Sequence, residues 1–213
     1  MVRTLFYSEG MKTNKISTEL SNLLDLLIRY SNVYRGPYAP SRVTQTTAPP
    51  GSKILRESLI DHIGALPVIA TFLYPYLNEN IDIGKVLTML AVHDIGETKV
   101  GDVLTVKRNK TTKEIKNEDE AALHQLNKNY HPLYKEFNNN NSNEAKFAHS
   151  VDKISPNLYE LIVEKELAQK RHAYFGFDII KAVKKDRDKM EWNTFLLSFY
   201  DELISLIEKR FEA

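Results

Sequence analysis

Three apolar helical stripes in this 213-residue chain are each interrupted by groups that bind metals: His62, the adjacent pair His93-Asp94, and Asp152. Burying a polar group without a partner costs roughly 2–7 kcal/mol, and a buried charge must be paired or must coordinate a metal. Three such intrusions suggest one shared partner, a divalent cation. Two imidazoles and two carboxylates form a mixed nitrogen and oxygen set that suits Mn, Co, Fe, Zn or Ni, and affinity order alone does not choose among them. One ion per chain satisfies the set. Such an ion lowers the pKa of a bound water and polarises a phosphoryl or carbonyl oxygen. Glu97 lies three residues after Asp94 and four after His93, so it emerges beside the ligands as a candidate general acid or base. Asp102, after Gly101, is a candidate catalytic or substrate-contacting acid, and Arg42 a candidate bidentate grip on phosphate.

These groups need elements to carry them. Leu55, Leu59, Ile63, Leu66, Ile69 or Ala70, Leu73 and Leu77 follow 3-and-4 spacing, which predicts a helix over 54–77 with His62 on its apolar face. Pro67 should kink or interrupt it, and Pro75 should mark its last turn. Ile83, Val86, Leu87 and Leu90 predict a helix over 81–95 that leads into His93-Asp94 and stops at Gly96. A third segment opens at Asn143, a good N-cap followed by Glu144, and sets Ala145, Ala148 and Asp152 in one row. The small alanines leave room for a ligand sphere, and Pro156 restarts a second run to about His172. Further helices are expected over 16–34, with Leu20, Leu23, Leu24, Leu27 and Ile28 on one side, over 112–129, and over 190–211, with Trp192, Phe195, Phe199, Leu203, Leu206 or Ile207, and Phe211. Residues 35–53 and 138–143 read as loops. With no strand alternation and no glycine-rich phosphate loop, the fold expected is all-α: a weakly structured 1–15, then a single domain over 16–213.

Composition narrows the function classes. A hydrophobic fraction of 42% supports a sizeable core, and a net charge of +1 without a long basic stretch gives no footing for a nucleic acid polymer. No uninterrupted apolar run of membrane-spanning length and no secretory h-region stand out, so no membrane partner is expected. With no cysteine, disulfides, thiolate ligands and cysteine nucleophiles are excluded. A cytoplasmic protein fits.

The segments E-S-L-I-D-H ending at His62, A-V-H-D-I-G-E at 91–97, V-G-D at 100–102 and A-H-S-V-D-K-I at 148–154 resemble the HD-domain metal-dependent phosphohydrolases, nearest the bacterial 5'-deoxynucleotidases. The similarity spans about 20–170. It implies an HD-type helical bundle with His62, His93, Asp94 and Asp152 as metal ligands and Glu97 as the catalytic acid that manages the attacking water. It further implies Asp102 near the scissile ester or sugar, Arg42 on phosphate, a nucleotide monophosphate as substrate, and a homodimer. The chain departs from the pattern at Ile63-Gly64, after the first histidine, and at Val43, after the loop arginine.

Two other functions compete. A diiron oxygenase on the same scaffold would recruit His124 or His149 to a second metal. A nucleotide-sensing protein would keep the metal but have no use for Glu97 or Asp102.

Overall fold

The computed structural model describes residue 23 and residues 25–30, 32–33, 58–102, 110–176 and 178–211. Among these the chain is helical: α1 over 25–30, α2 Leu59–Leu73, α3 Ile83–Val92, α4 Glu97–Val100, α5 Thr112–Gln125, α6 His131–Asn139, α7 Asn143–Ile162, α8 Lys165–Phe175, α9 Ile179–Lys185 and α10 Thr194–Phe211. No β-strand occurs among the described residues. The expected N-terminal segment 1–15 lies outside them.

Local chemistry sets where the helices start. Ser58 and Asp61 form a capping box at α2, Thr111 and Glu114 another at α5, and the Asp82 side chain accepts from the Lys85 amide at α3. Each satisfies backbone N–H groups that a helix start would leave orphaned. The cap of α7 is Ser142, one residue before the Asn143 expected from sequence.

Helices α2, α3 and α7 pack on one another, with α10 against the far side of α7. Their shared core includes Leu66, Ala70, Val86, Met89, Leu90, Ala148, Val151 and Ile154. Tyr200 of α10 is fully buried; its hydroxyl accepts from Asn157 Nδ2 at 2.8 Å and donates to the Val183 carbonyl at 2.9 Å. Trp192 donates to buried Ser150 Oγ at 2.9 Å. Ala145 and Ala148 are fully buried within this core, so their small size serves close helix packing.

Several expectations are corrected. Both prolines lie within continuous helices, Pro67 in α2 and Pro156 in α7. Proline cannot donate to the carbonyl four residues back, a defect of about 3 kcal/mol in a helix interior. In α2 the burial of Leu66, Ala70 and Leu73 around it offsets that cost. The helix expected over 81–95 ends at Val92, placing His93 and Asp94 in the turn beyond it, and Gly96 opens α4. Helix α5 stops at Gln125 rather than 129. Helices α6 and α9 were not foreseen. On α1 the deeper residues are Leu26 and Tyr30, whereas Leu23, Leu27 and Ile28 are exposed. On α10 the buried stripe keeps Leu203 and Ile207 of the expected row and adds Leu196 and Tyr200, while Trp192, Phe195, Phe199 and Phe211 pack partly buried against the same core.

Gly96 is required by packing. A Cβ there would stand 2.4 Å from the Glu118 carbonyl oxygen and 2.7 Å from its Cγ, whereas one at Gly64 meets nothing within 4 Å. Gly96→Ala is therefore expected to destabilise the fold by about 1–3 kcal/mol, the range for overpacking. Gly64→Ala should stabilise it by about 0.5–1 kcal/mol, the usual gain in a helix. Denaturant unfolding of both variants checks the contrast; equal effects would contradict it.

Candidate metal centre

His62 sits on the buried face of α2, His93 and Asp94 in the turn after α3, and Asp152 midway along α7. The packing of these three helices brings their polar groups into one closed ring. His62 Nε2 lies 3.2 Å from Asp152 Oδ1 and 3.6 Å from Asp94 Oδ2. His93 Nε2 lies 3.1 Å from Asp94 Oδ2 and 3.7 Å from Asp152 Oδ1. Each imidazole thus faces both acids.

The spacing tests whether a cation fits. Ligands held about 2.1 Å from one metal at tetrahedral or octahedral angles stand roughly 3.0–3.4 Å apart; the ring's 3.1 and 3.2 Å contacts fall in that range, and its 3.6 and 3.7 Å contacts lie just above it. His62, His93 and Asp94 offer donor atoms within 4.8 Å of one another. The tautomer fits too. His93 donates from Nδ1 to the Leu90 carbonyl at 3.0 Å, which leaves Nε2 directed at the acids and, once deprotonated, available as a metal-binding lone pair. That buried Nε2 meets the acids by charge, with no well-aligned hydrogen bond to either. A histidine fixed through its other nitrogen by a backbone carbonyl is the usual arrangement of a metal ligand.

Electrostatics point the same way. Burial alone would lower the pKa of His93, but Asp94 and Asp152 outweigh it and raise it to about 10. Burial pushes Asp152 upward, while Lys153, His62 and His93 hold it well below the ordinary carboxylate range. The acids demand positive charge between them, and a divalent ion would displace the proton.

Further charges surround the ring. Lys153 Nζ contacts Asp152 Oδ2 at 3.0 Å, so that oxygen is engaged while Oδ1 faces the imidazoles. Glu97, 3% exposed, takes an ion pair from Lys110 at 3.0 Å. Tyr30 is buried beside this region; burial, then Asp94 and Glu97, raise its phenol, which stays protonated. Sequence reading assigned Tyr30 no role, placed Lys110 only within a charged run over 107–113, and included Lys153 only as part of the A-H-S-V-D-K-I motif. For Tyr30 a signal existed: it shares a helical stripe with Leu26 and Val33.

The remaining candidates divide. Asp102 lies just after Gly101, whose φ of 80° ends α4, and is half-buried. Arg42 lies outside the described residues. His124 is exposed and lines a cavity of about 540 Å³ with Arg29, Lys99 and Gln125. His149 stacks on Phe137 at 3.9 Å and its Nε2 bonds the Phe137 carbonyl at 2.8 Å. Neither histidine belongs to the donor cluster found among the described residues.

The all-helical fold and this His/His-Asp/Asp constellation define a class, and the sequence agrees: the HD-domain profile matches residues 45–194, so the chain belongs to the HD-domain family. Among solved structures it is similar to a "predicted metal-dependent phosphohydrolase" of Magnetospirillum magnetotacticum, with a TM-score of 0.70 at 20% identity, covering 92% of this chain and 96% of that one. A Pyrococcus horikoshii protein gives 0.60 at 18% identity, covering 90% and 99%. A conserved hypothetical protein of Pyrococcus furiosus gives 0.59 at 19%, covering 89% and 99%. Identities this low speak for the shared fold. No curated protein matches the sequence.

Folding raises His93 above its ordinary 6.5, so its protonated form stabilises the metal-free protein. That contribution is full below about 6.5 and lost as pH rises through about 10. The chelator-treated protein should therefore melt at falling temperature between these limits. The metal-loaded protein should lack this slope, and His93→Ala should abolish it. Metal uptake should release a proton, measurable by calorimetry in buffers of different ionisation enthalpy. An apparent metal affinity independent of pH across this range would contradict the assignment.

Proposed function

We propose that this protein is a metal-dependent phosphohydrolase that removes phosphate from a small phosphomonoester, with a deoxynucleoside 5'-monophosphate as the first candidate. The observation that carries the proposal is the ring of two imidazoles and two carboxylates at 3.1–3.7 Å with buried Glu97 nearby in sequence and fold. We assign His62, His93, Asp94 and Asp152 as ligands to one divalent ion per chain. Such an ion, when bound, supplies Lewis acidity: it acidifies a water and draws charge from a phosphoryl oxygen.

The chain's own groups do the rest. Glu97 takes a proton from the attacking water at its carboxylate, as that oxygen bonds to phosphorus and the ester P–O bond breaks. The proton then goes to the departing oxygen, giving an alcohol and inorganic phosphate. Lys110 donates to Glu97 Oε1 at 3.0 Å and holds the carboxylate in place. Asp102, at the end of α4, is assigned to contact the substrate beside the ester, and Arg42 to the phosphate. The donor cluster favours a single ion over the diiron alternative, because His124 and His149 make their contacts elsewhere. A purely sensory role gives no reason to bury Glu97 against Lys110.

We also infer a cytoplasmic homodimer that works without a membrane or nucleic acid polymer. The segment Leu59–Tyr76 has the length and mean hydropathy, 1.2, of a membrane span. Asp61 in its capping box and His62 in the donor ring support its place as a helix of the bundle.

The test is phosphate release from a panel of nucleoside and deoxynucleoside monophosphates. The protein is stripped of metal and resupplied with Mn, Co, Zn or Fe. Glu97→Gln is expected to lower kcat by about 10²–10⁴, the usual worth of general acid–base catalysis, with metal content unchanged. Undiminished turnover in this variant would remove Glu97 from the mechanism, and no release with any metal would overturn the proposed activity.

A further inference from the structure

Helix α4 has only four residues, Glu97–Val100, too few to fix the side chain at its first position. Something outside it must do so. Lys110 Nζ stands 3.0 Å from Glu97 Oε1 and 2.5 Å from Glu118 Oε2. The three side chains are 18%, 5% and 14% exposed. Two carboxylates would not be buried around a point without a cation between them, and Lys110 is that cation. Burial would lower its pKa, but Glu97 and Glu118 outweigh this and raise it.

The clamp has its own frame of reference. Lys110 immediately precedes Thr111, whose capping box with Glu114 fixes the start of α5. Glu118 lies two turns further along the same helix. Gly96, the residue before Glu97, packs so closely on Glu118 that even a methyl group would collide with its carbonyl. The backbone leading into Glu97 and the ammonium that holds its carboxylate are thus both registered against one turn of α5.

We propose that Lys110 and Glu118 form a positioning pair that sets the direction of the Glu97 carboxylate, a role that rests on the phosphohydrolase activity proposed above. The pair acts through Glu97 and touches neither substrate nor metal. Losing it should leave ligand binding intact while the chemical step slows.

The test combines kinetics, Mn²⁺ affinity and melting on the full chain. Lys110→Met is expected to lower kcat at least tenfold while KM and Mn²⁺ affinity, read by electron paramagnetic resonance, stay within about twofold. Lys110→Arg should recover most of the loss, and Glu118→Gln should give a smaller fall of the same kind. In melting temperature, Lys110→Met and Glu97→Gln should be non-additive, because each removes the other's partner. The inference is overturned if Lys110→Met keeps wild-type kcat or if Lys110→Arg is no better than Lys110→Met. It is also overturned if kcat, Mn²⁺ affinity and melting temperature collapse together, which marks a purely structural lysine. A wild-type protein inactive on every ester overturns the activity and the pair together; an active one with an unaffected Lys110→Met overturns the pair alone.

Discussion

Each of two imidazoles lies 3.1–3.7 Å from both of two carboxylates in a largely buried site, and positive charge must sit among them. In the metal-free protein a proton on His93 supplies part of it, which is why its pKa stands near 10 despite burial. Under the proposed assignment a divalent ion would supply it better, since it would engage all four groups at once. The same deficit explains the lysines nearby. Lys153 takes the outer oxygen of Asp152, and Lys110 neutralises Glu97 and Glu118.

That constraint organises the scaffold. The donors come from α2, the turn after α3, and α7, the helices whose apolar faces build the main core. Hydrophobic burial therefore brings these polar groups together, and the electrostatic cost of doing so calls for a cation among them. Around this centre the supports are short and local: a capping box at each of α2 and α5, the His93 bond to the Leu90 carbonyl, and the close approach of Gly96 to Glu118. The four-residue α4 owes its position to α5.

The convergence of His62, His93, Asp94 and Asp152 was legible because helical periodicity is strong: a histidine or aspartate that falls in step with leucines and alanines declares its face. The all-α class followed from the same pattern. Other features depend on tertiary partners that periodicity does not contain. Pro67 and Pro156 look like breaks, yet packing on either side carries the helices through them. Gly96 looks like a helix end, but its missing side chain makes room for Glu118, a partner 22 residues away. Nothing local in the sequence marks Lys110, in a charged run, as the partner of Glu97 and Glu118. On α1 the more hydrophobic row, Leu23, Leu27 and Ile28, faces outward while Tyr30 turns in, so composition alone favoured the wrong face.

The central claim is that the ring is a single divalent metal site, and anomalous diffraction from Mn²⁺-loaded crystals tests it most directly. The account predicts one strong peak per chain, about 2.0–2.3 Å from His62 Nε2, His93 Nε2, Asp94 Oδ2 and Asp152 Oδ1, the range for imidazole and carboxylate ligands. A peak only in the cavity beside His124, or a second peak held by His149, would contradict it, as would an empty ring at saturating Mn²⁺.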